Sequence, residues 1–221
     1  MSPTFDEECM LHAHGATTIA GVDEVGRGCW AGPVMAAAVV FESSIYSKPE
    51  CVAGVDDSKR LTSEQRTALV QSIQPFIRSV AVGWVSAHDI DCMGIIQATR
   101  VAMQQALFGL TVSVDALLVD AVSFPHWSIP QRSLIHGDRR SLSIAAASII
   151  AKVARDRVMQ QLDTVTPRYG YAAHKGYGTP AHQHALMRHG PSIQHRHTYA
   201  PIRTFHLSGT WAFGRTDAEP V

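Results

Sequence analysis

The stretch that most constrains this chain runs Thr18-Ile19-Ala20-Gly21-Val22-Asp23-Glu24-Val25-Gly26-Arg27-Gly28. An apolar run with the pattern of a buried strand leads straight into two carboxylates, and a glycine turn carrying one arginine follows. A second apolar strand, Val34–Phe41, comes next. Burying a carboxylate is costly unless a cation or a set of donors meets it, so a bound metal is the simplest account of Asp23 and Glu24. Gly26 and Gly28 permit positive φ and close approach of backbone to a ligand. An exposed hairpin with an acidic end is the alternative that spacing leaves open. Geometry adds a demand, because adjacent strand residues point to opposite faces. Asp23 and Glu24 therefore converge only where the strand ends or bulges, or else Glu24 reaches a second ion from the side.

A length of 221 residues with 46% apolar composition suits one soluble domain with at most a small appendage. No apolar run approaches a membrane span, and residues 1–10 are acidic, without the basic-then-apolar pattern of a secretory signal. Cys9, Cys29, Cys51 and Cys92 are scattered, with no Cys-x-x-Cys pair. That usage predicts reduced thiols in a cytoplasmic protein. A formal net charge of zero conceals an asymmetry: residues 1–130 hold 7 Lys/Arg against 14 Asp/Glu, and residues 131–203 hold 11 against 3. If sequence halves are also spatial halves, the later one is a surface for a polyanion.

Periodicity outlines an α/β domain with a mixed sheet. Residues 1–15 are polar and expected to be loosely ordered. Thr62 and Gln65 form a capping box ahead of a helix with Leu69, Ile73, Phe76 and Ile77 as its stripe. Residues 79–85 alternate as a strand, and 87–108 read as one long helix with Ile96, Thr99, Met103, Ala106 and Leu107 on one face. Ala116–Asp120 is a short buried strand ending in another carboxylate, and 133–135 a short strand running into His136-Gly137-Asp138. A long helix over 141–162 carries Leu142, Ala146, Ile149, Ile150 and Val153 on one stripe. Residues 166–179 read as a Gly/Tyr-rich loop and Pro180–His189 as a short helix, with a loose chain beyond Arg203.

Asp23 with Glu24, Asp120 and Asp138 all stand at strand ends or just before a helix. A fold that gathers strand ends would set four acids together without a counter-charge, and oxygen-only ligands then favour Mg²⁺ or Mn²⁺ over zinc. Two such ions ~3.5–4 Å apart activate water and stabilise the leaving oxygen in phosphodiester cleavage. A lone strand-end aspartate is as often a turn former, so the weight lies in three such places in one chain. His12/His14, His182/His184 and His195/His197 are each spaced by two, but none sits in an apolar strand or near a cysteine cluster. They read as solvated loop residues rather than a metal site. Lys152, Arg155 and Asp156 read as a charged helix face with a local ion pair. In Tyr169-Gly170-Tyr171 and in His174-Lys175-Gly176-Tyr177-Gly178-Thr179, glycines expose N–H groups, Lys175 offers a cation, and the tyrosines offer stacking surface. Such loops also make ordinary packed turns.

Several of these blocks occur in a definite order. Asp23-Glu24-Val25-Gly26-Arg27-Gly28 with Ala31-Gly32-Pro33 is followed by Asp57-Ser58-Lys59, Asp89-Ile90-Asp91, Val119-Asp120 and Gly137-Asp138. The run from Ile144 to Asp156, the block from His174 to Thr179, and His195-Arg196 with Ala200-Pro201 complete the series. Over most of its length the chain resembles ribonuclease HII.

The resemblance implies an α/β fold, a ribonuclease H-like mixed sheet flanked by helices over 16–165. A loop and helical C-terminal extension over 166–205 would help grip the duplex, with a loose tail over 206–221. It implies two-metal hydrolysis, with Mg²⁺ or Mn²⁺, of the RNA strand of RNA–DNA hybrids and of the bond 5′ of single ribonucleotides in duplex DNA. The products would be a 3′-hydroxyl and a 5′-phosphate, and the role removal of misincorporated ribonucleotides. The family's metal-binding carboxylates fall on Asp23, Glu24, Asp120 and Asp138. Its loop that contacts the 2′-hydroxyl falls on Gly26, Arg27 and Gly28, its sugar-packing tyrosine on Tyr177, and a phosphate contact on Lys59. Lys175 and Arg196 stand in matching blocks as further substrate contacts. Ala121 follows Asp120 where the family often has glycine, and His136 stands where lysine is common. No clear C-terminal motif for docking on a sliding clamp stands in the chain, so a clamp stays open as a partner, and a monomer is expected. Two other classes compete: a non-catalytic hybrid-binding module, which would tolerate loss of Asp23 or Asp120, and a metal-dependent DNA nuclease, which would ignore the 2′-hydroxyl. Gly26-Arg27-Gly28 and Tyr177 speak against both.

Overall fold

The computed structural model describes residues 2–56, 58–211 and 213, with the Lys59 side chain outside that set. The expected contact at Lys59, its neighbour Asp57 and most of the tail over 206–221 therefore lie outside the described residues. Five strands, β1 (Ile19–Val25), β2 (Val34–Phe41), β3 (Ile77–Val85), β4 (Ala116–Asp120) and β5 (Gln131–Leu134), form one sheet in the order β3-β2-β1-β4-β5. β3, β2 and β1 run antiparallel, while β4 and β5 run parallel to β1. The helices are α1 (Asp6–Ala13), α2 (Ser63–Ile73), α3 (Ala87–Met93), α4 (Ile95–Phe108), α5 (Leu142–Val165), α6 (Tyr171–His174), α7 (Pro180–His189) and α8 (Ala200–Ser208).

The central strands are buried on both faces, as their unbroken apolar runs require. Val34, Ala36, Ala38 and Val40 of β2 pack with Ala98, Ala102, Met103 and Ala106 of α4 on one side. Ala37, Val39 and Phe41 pack with Ile144, Ala147 and Ile149 of α5 on the other. The result is the mixed sheet between helices that the sequence predicts. Thr62 caps α2 with the reciprocal Gln65 bonds of a capping box, as its spacing required. The helix α5 approaches β1 so closely that a Cβ on Gly21 would overlap the backbone of Ser143.

Four expectations are corrected. The helix over 87–108 is two helices, because Gly94 has φ +79° and a right-handed helix cannot continue through it. The break turns Ile96 to solvent, 62% exposed, and Ala98 and Ala102 take its place in the core. The N-terminal segment, expected to be loose, forms α1. Its Glu8 is fully buried and accepts from Ser141 Oγ at 2.6 Å and Ser143 N at 2.9 Å, and Glu7 pairs with Arg140 at 2.6 Å. These anchors are polar and more than a hundred residues distant in sequence, so no local apolar pattern announces the helix. The loop over 166–179 contains the short helical turns Pro167–Tyr169 and α6. Finally, α8 continues past Arg203 to Ser208, capped by Gly209 at φ +68°.

The C-terminal extension is knitted to the β1–β2 connection by backbone. Trp30 N donates to Gly176 O, Arg196 N to Trp30 O and Gly32 N to Gln194 O, each at 2.8 Å. Ala31, Met159, Tyr169 and Tyr171 form a small core at that junction. Replacing Gly21 with alanine should cost ~2–3 kcal/mol, because the methyl group meets helix backbone that cannot rotate away. Urea unfolding of the Gly21→Ala variant measures this, and a loss below ~0.5 kcal/mol would show that α5 can shift off β1.

Candidate active site

The parallel ladder between β1 and β4 ends at Val22↔Val119. One residue further, Asp23 of β1, which stays paired with β2 through Val25, stands beside Asp120, the last residue of β4, near the carboxyl ends of two strands, the usual position of ligand sites in open α/β sheets. Because β4 stops there, Glu24 has room to turn its longer side chain round the strand end. One carboxylate oxygen from each of Asp23, Glu24 and Asp120 lies within 4.8 Å of the other two. β1 itself neither ends nor bulges between Asp23 and Glu24, so the two converge through side-chain reach past the end of β4 and not through a break in their own strand.

Donors hold this cluster in place but do not neutralise it. Glu24 N donates to Asp23 Oδ1 and Gly137 N to Asp120 Oδ1, both at 2.7 Å. Burial pushes the Asp23 carboxyl well above the usual range, the charges of Glu24 and Asp120 push it further, and the Ser148 hydroxyl and the Glu24 N–H oppose them. Burial also raises Glu24, against the pull of Arg27, with Asp120 adding to the rise. The Arg27–Glu24 pair spans 3.4 Å with Arg27 44% exposed, a geometry that contributes little. Glu24 Oε2 is buried with no hydrogen-bond partner. Three hard oxygen donors, one of them bare, fit a Mg²⁺ or Mn²⁺ ion. Asp138 is buried on the 3-10 turn Gly137–Arg139, one residue past the N–H that holds Asp120, and is not among the three mutually close carboxylates.

Beside the acids, Gly26 takes φ +91° and Gly28 has open space where a side chain would stand. Tyr177 is 42% exposed, and its hydroxyl meets the buried Cys29 thiol, next in sequence to Gly28. The two glycine-rich loops therefore lie together beside the carboxylates. The family model of ribonuclease HII matches residues 20–202. Ribonuclease HII of Roseiflexus castenholzii is 56% identical over 200 residues, spanning 90% of this chain and 89% of that protein. The chain belongs to the ribonuclease HII family. The crystal structure of ribonuclease H2 from Pyrococcus horikoshii OT3 superposes with a TM-score of 0.71 at 26% identity, covering 86% of this chain and 97% of that one. An Archaeoglobus fulgidus ribonuclease HII, solved in complex with PCNA, shares the fold with a TM-score of 0.69 at 24% identity, covering 83% and 95%. The chain is accordingly a divalent-metal-dependent ribonuclease H hydrolase that cuts the RNA of RNA–DNA hybrids.

Within this ribonuclease HII fold, two sequence expectations are corrected, those for Arg196 and for the histidines. Arg196 is fully buried, and its guanidinium donates to Gly32 O, Arg27 O and the Tyr199 hydroxyl. It supports the glycine loop from beneath and cannot reach a substrate. Lys175 folds back, with φ +52° and Nζ donating to Ala172 O at 2.6 Å, so its charge is turned toward its own turn. The histidines expected in solvent are divided. His12, His14 and His184 are exposed, but His182 and His195 are fully buried with His174 beside them. Their Nε2 atoms lie 3.0 Å apart, and His182 Nδ1 meets Tyr177 O at 2.9 Å. Sequence reasoning also missed Arg155, read as part of a charged face but fully buried; only Lys152 and Asp156 form the expected pair, at 2.6 Å. The signal available for Arg155, His195 and Arg196 was their place inside the ordered blocks Ile144–Asp156 and His195-Arg196, not any apolar periodicity, and His182 lies outside every such block.

Carboxyls with raised folded-state pKa bind more protons in the native than in the unfolded state, so metal-free protein should lose stability as pH rises through that window. Asp23→Asn removes one of the mutually repelling buried charges and should stabilise the metal-free protein by ~1–3 kcal/mol. The same variant should lose the rise in Tm that Mg²⁺ or Mn²⁺ gives the wild type. Unfolding curves with and without metal test both, and an undiminished metal response in Asp23→Asn would remove this carboxylate from the site. The histidines run the other way. Burial holds His182 down to about 4 and His195 to about 3, so stability should fall as pH drops below ~6.5, where the unfolded imidazoles charge. The slope is at most ~2.7 kcal/mol per pH unit for the pair. Stability measured at pH 7, 6 and 5 should decline in the wild type and decline less in His195→Gln.

Proposed function

We propose that this site hydrolyses the phosphodiester on the 5′ side of a ribonucleotide, at a single ribonucleotide in duplex DNA as well as in hybrids, leaving a 3′-hydroxyl and a 5′-phosphate. The observation that carries the reading is the adjacency of a buried, unneutralised carboxylate cluster to an open glycine loop at the end of one strand. Asp23, Glu24 and Asp120, joined by Asp138, would hold two divalent ions. Bound there, Mg²⁺ or Mn²⁺ supplies an ionised water and charge stabilisation at the leaving oxygen.

The remaining work falls to this chain's own groups. At Gly28 no side chain stands between the backbone and a ligand, which favours recognition of a 2′-hydroxyl by main-chain donors and acceptors. Arg27, nearly half exposed, is free to meet the scissile phosphate. Tyr177 is 42% exposed with its hydroxyl near the Cys29 thiol, a posture suited to stacking on the deoxyribose next to the ribonucleotide. The excess of Lys/Arg over 131–203 supports the helical extension as the duplex-gripping part, with contacts to phosphate that should weaken as salt rises. All of these groups sit in one chain, so a monomer suffices. Four free cysteines suit work in a reducing cytoplasm, where ribonucleotide removal from DNA takes place.

The decisive assay uses three substrates: a DNA duplex with one ribonucleotide, the same duplex all-DNA, and a long RNA–DNA hybrid. Wild type should cut the first on the 5′ side of the ribonucleotide, leave the second intact and cut the third. A 2′-hydroxyl whose absence leaves a buried partner unpaired is worth ~1–3 kcal/mol, or roughly one to two orders of magnitude in rate. Tyr177→Ala should lower kcat/KM at the single ribonucleotide by a similar factor and spare hybrid cleavage, which needs no junction. Cutting of the all-DNA duplex would overturn the sugar-reading role of the glycine loop, and equal losses on both ribonucleotide substrates would overturn the role of Tyr177.

A further inference from the structure

The loops carrying Gly26–Gly28 and Tyr177 come from distant parts of the chain, and a side chain belonging to neither fastens them. Arg155 of α5 is fully buried. Its Nε donates to Pro33 O at 2.9 Å and its Nη2 to Ala31 O at 3.1 Å, both in the loop over 26–33. Its Nη1 donates to Lys175 O at 2.8 Å, two residues before Tyr177. A Cβ on Gly26 would overlap the same guanidinium, so the glycine turn lies directly on it. Among the described residues no carboxylate lies within ion-pair distance of Arg155. The adjacent Asp156 is occupied by Lys152 at 2.6 Å and Arg66 at 3.5 Å.

A buried guanidinium without a counter-ion is a costly way to fill space, and an apolar side chain would pack more cheaply. What an apolar group cannot do is bind three carbonyls from two loops at once. A lysine cannot reproduce it either, since its single ammonium lacks the rigid planar spread of donors.

We propose that Arg155 is a positioning residue that holds the 2′-hydroxyl-reading loop and the Tyr177 loop in one register, and so sets discrimination at an isolated ribonucleotide. A single ribonucleotide must be read at its 2′-hydroxyl by one loop while the neighbouring deoxyribose stacks on the other. Both loops have to be placed together. A hybrid offers a 2′-hydroxyl at every position of its RNA strand and no junction, so it demands less of that register. The proposal rests on the reading of Gly26–Gly28 and Tyr177 given above, and the test keeps the two apart.

The test measures kcat/KM of Arg155→Lys on the single-ribonucleotide duplex and on the hybrid, alone and combined with Tyr177→Ala, at a temperature where Tm shows each variant folded. Arg155→Lys should lose on the order of tenfold more on the single ribonucleotide than on the hybrid, the scale of one mispositioned contact. In the Tyr177→Ala background that selective loss should vanish, since Arg155 acts through the tyrosine loop. Proportional losses on both substrates, or full additivity with Tyr177→Ala, would leave Arg155 a structural residue only and overturn the proposal. Wild type that fails to distinguish ribonucleotide from all-DNA duplex would instead overturn the underlying reading. Should Arg155→Lys not fold, native-state hydrogen exchange of the wild type decides. The Trp30 and Tyr177 amides should open with the same free energy and denaturant dependence, as one unit. Independent opening of the two would overturn the proposal.

Discussion

The fold depends on holding three carboxylates closer together than their charges favour. Asp23, Glu24 and Asp120 meet at the open end of the β1–β4 pair, where desolvation and the neighbouring carboxylate charges oppose ionisation of Asp23 and Glu24. Local groups offset that cost only in part: the Ser148 hydroxyl and the Glu24 N–H reach Asp23, and one exposed arginine stands 3.4 Å from Glu24. The rest of the offset comes from the sheet, whose central strands are apolar on both faces and clasped by α4 and α5. A less stable sheet end would splay and relax the cluster. The instability is useful, because a divalent ion is then the group that completes the structure.

The two buried guanidiniums sharpen this view. Arg155 and Arg196 lie within reach of the same loop that follows the acidic pair, yet both are satisfied by carbonyl oxygens: Pro33, Ala31 and Lys175 for one, Gly32 and Arg27 for the other. An ion pair between either and Glu24 would be electrostatically favourable and would destroy the metal site. Saturating each arginine with backbone acceptors keeps its charge on the loop over 26–33 and away from the carboxylates. The acidic early half and basic late half of the sequence meet in space at the loop over 26–33, without cancelling one another.

What the sequence disclosed follows from how local each signal is. The Thr62 capping box, the apolar runs of β1, β2 and β4 and the stripe of α5 rest on contacts within a few residues, and the structure has them where the pattern put them. The carboxylate trio was legible because strand ends converge in this class of sheet. Features fixed by distant polar partners were not legible. Glu8 anchors α1 to Ser141 across more than a hundred residues, and Gly94 breaks a helix whose side-chain pattern continues past it. His182 and His195 are buried by aromatic neighbours in an extension with almost no apolar periodicity. Arg196 was misassigned to the substrate for a similar reason: a basic residue in a functional block reads the same whether it touches the ligand or the loop that does.

One helix sets the distances between these parts. Gly21 lies against the start of α5 at Ser143, Ser148 reaches Asp23, Arg155 lies under Gly26, and Met159 sits beside Gly32 and Gly176. Ser148 and Arg155 are seven residues apart, two turns along one face, so the carboxylate cluster on β1 and the glycine-rich loops are spaced by ~10 Å of rigid helix. A loop-to-loop contact could drift as the loops breathe, but a helix whose near end is fixed on Gly21 cannot lengthen. Cutting a backbone at a fixed offset from a recognised 2′-hydroxyl requires that kind of ruler. The small-residue run Ala145-Ala146-Ala147 lets α5 lie flat on the strands along the same length. On the proposed function, then, selectivity for the sugar and placement of the metals are properties of one element, and they stay in register because they share it.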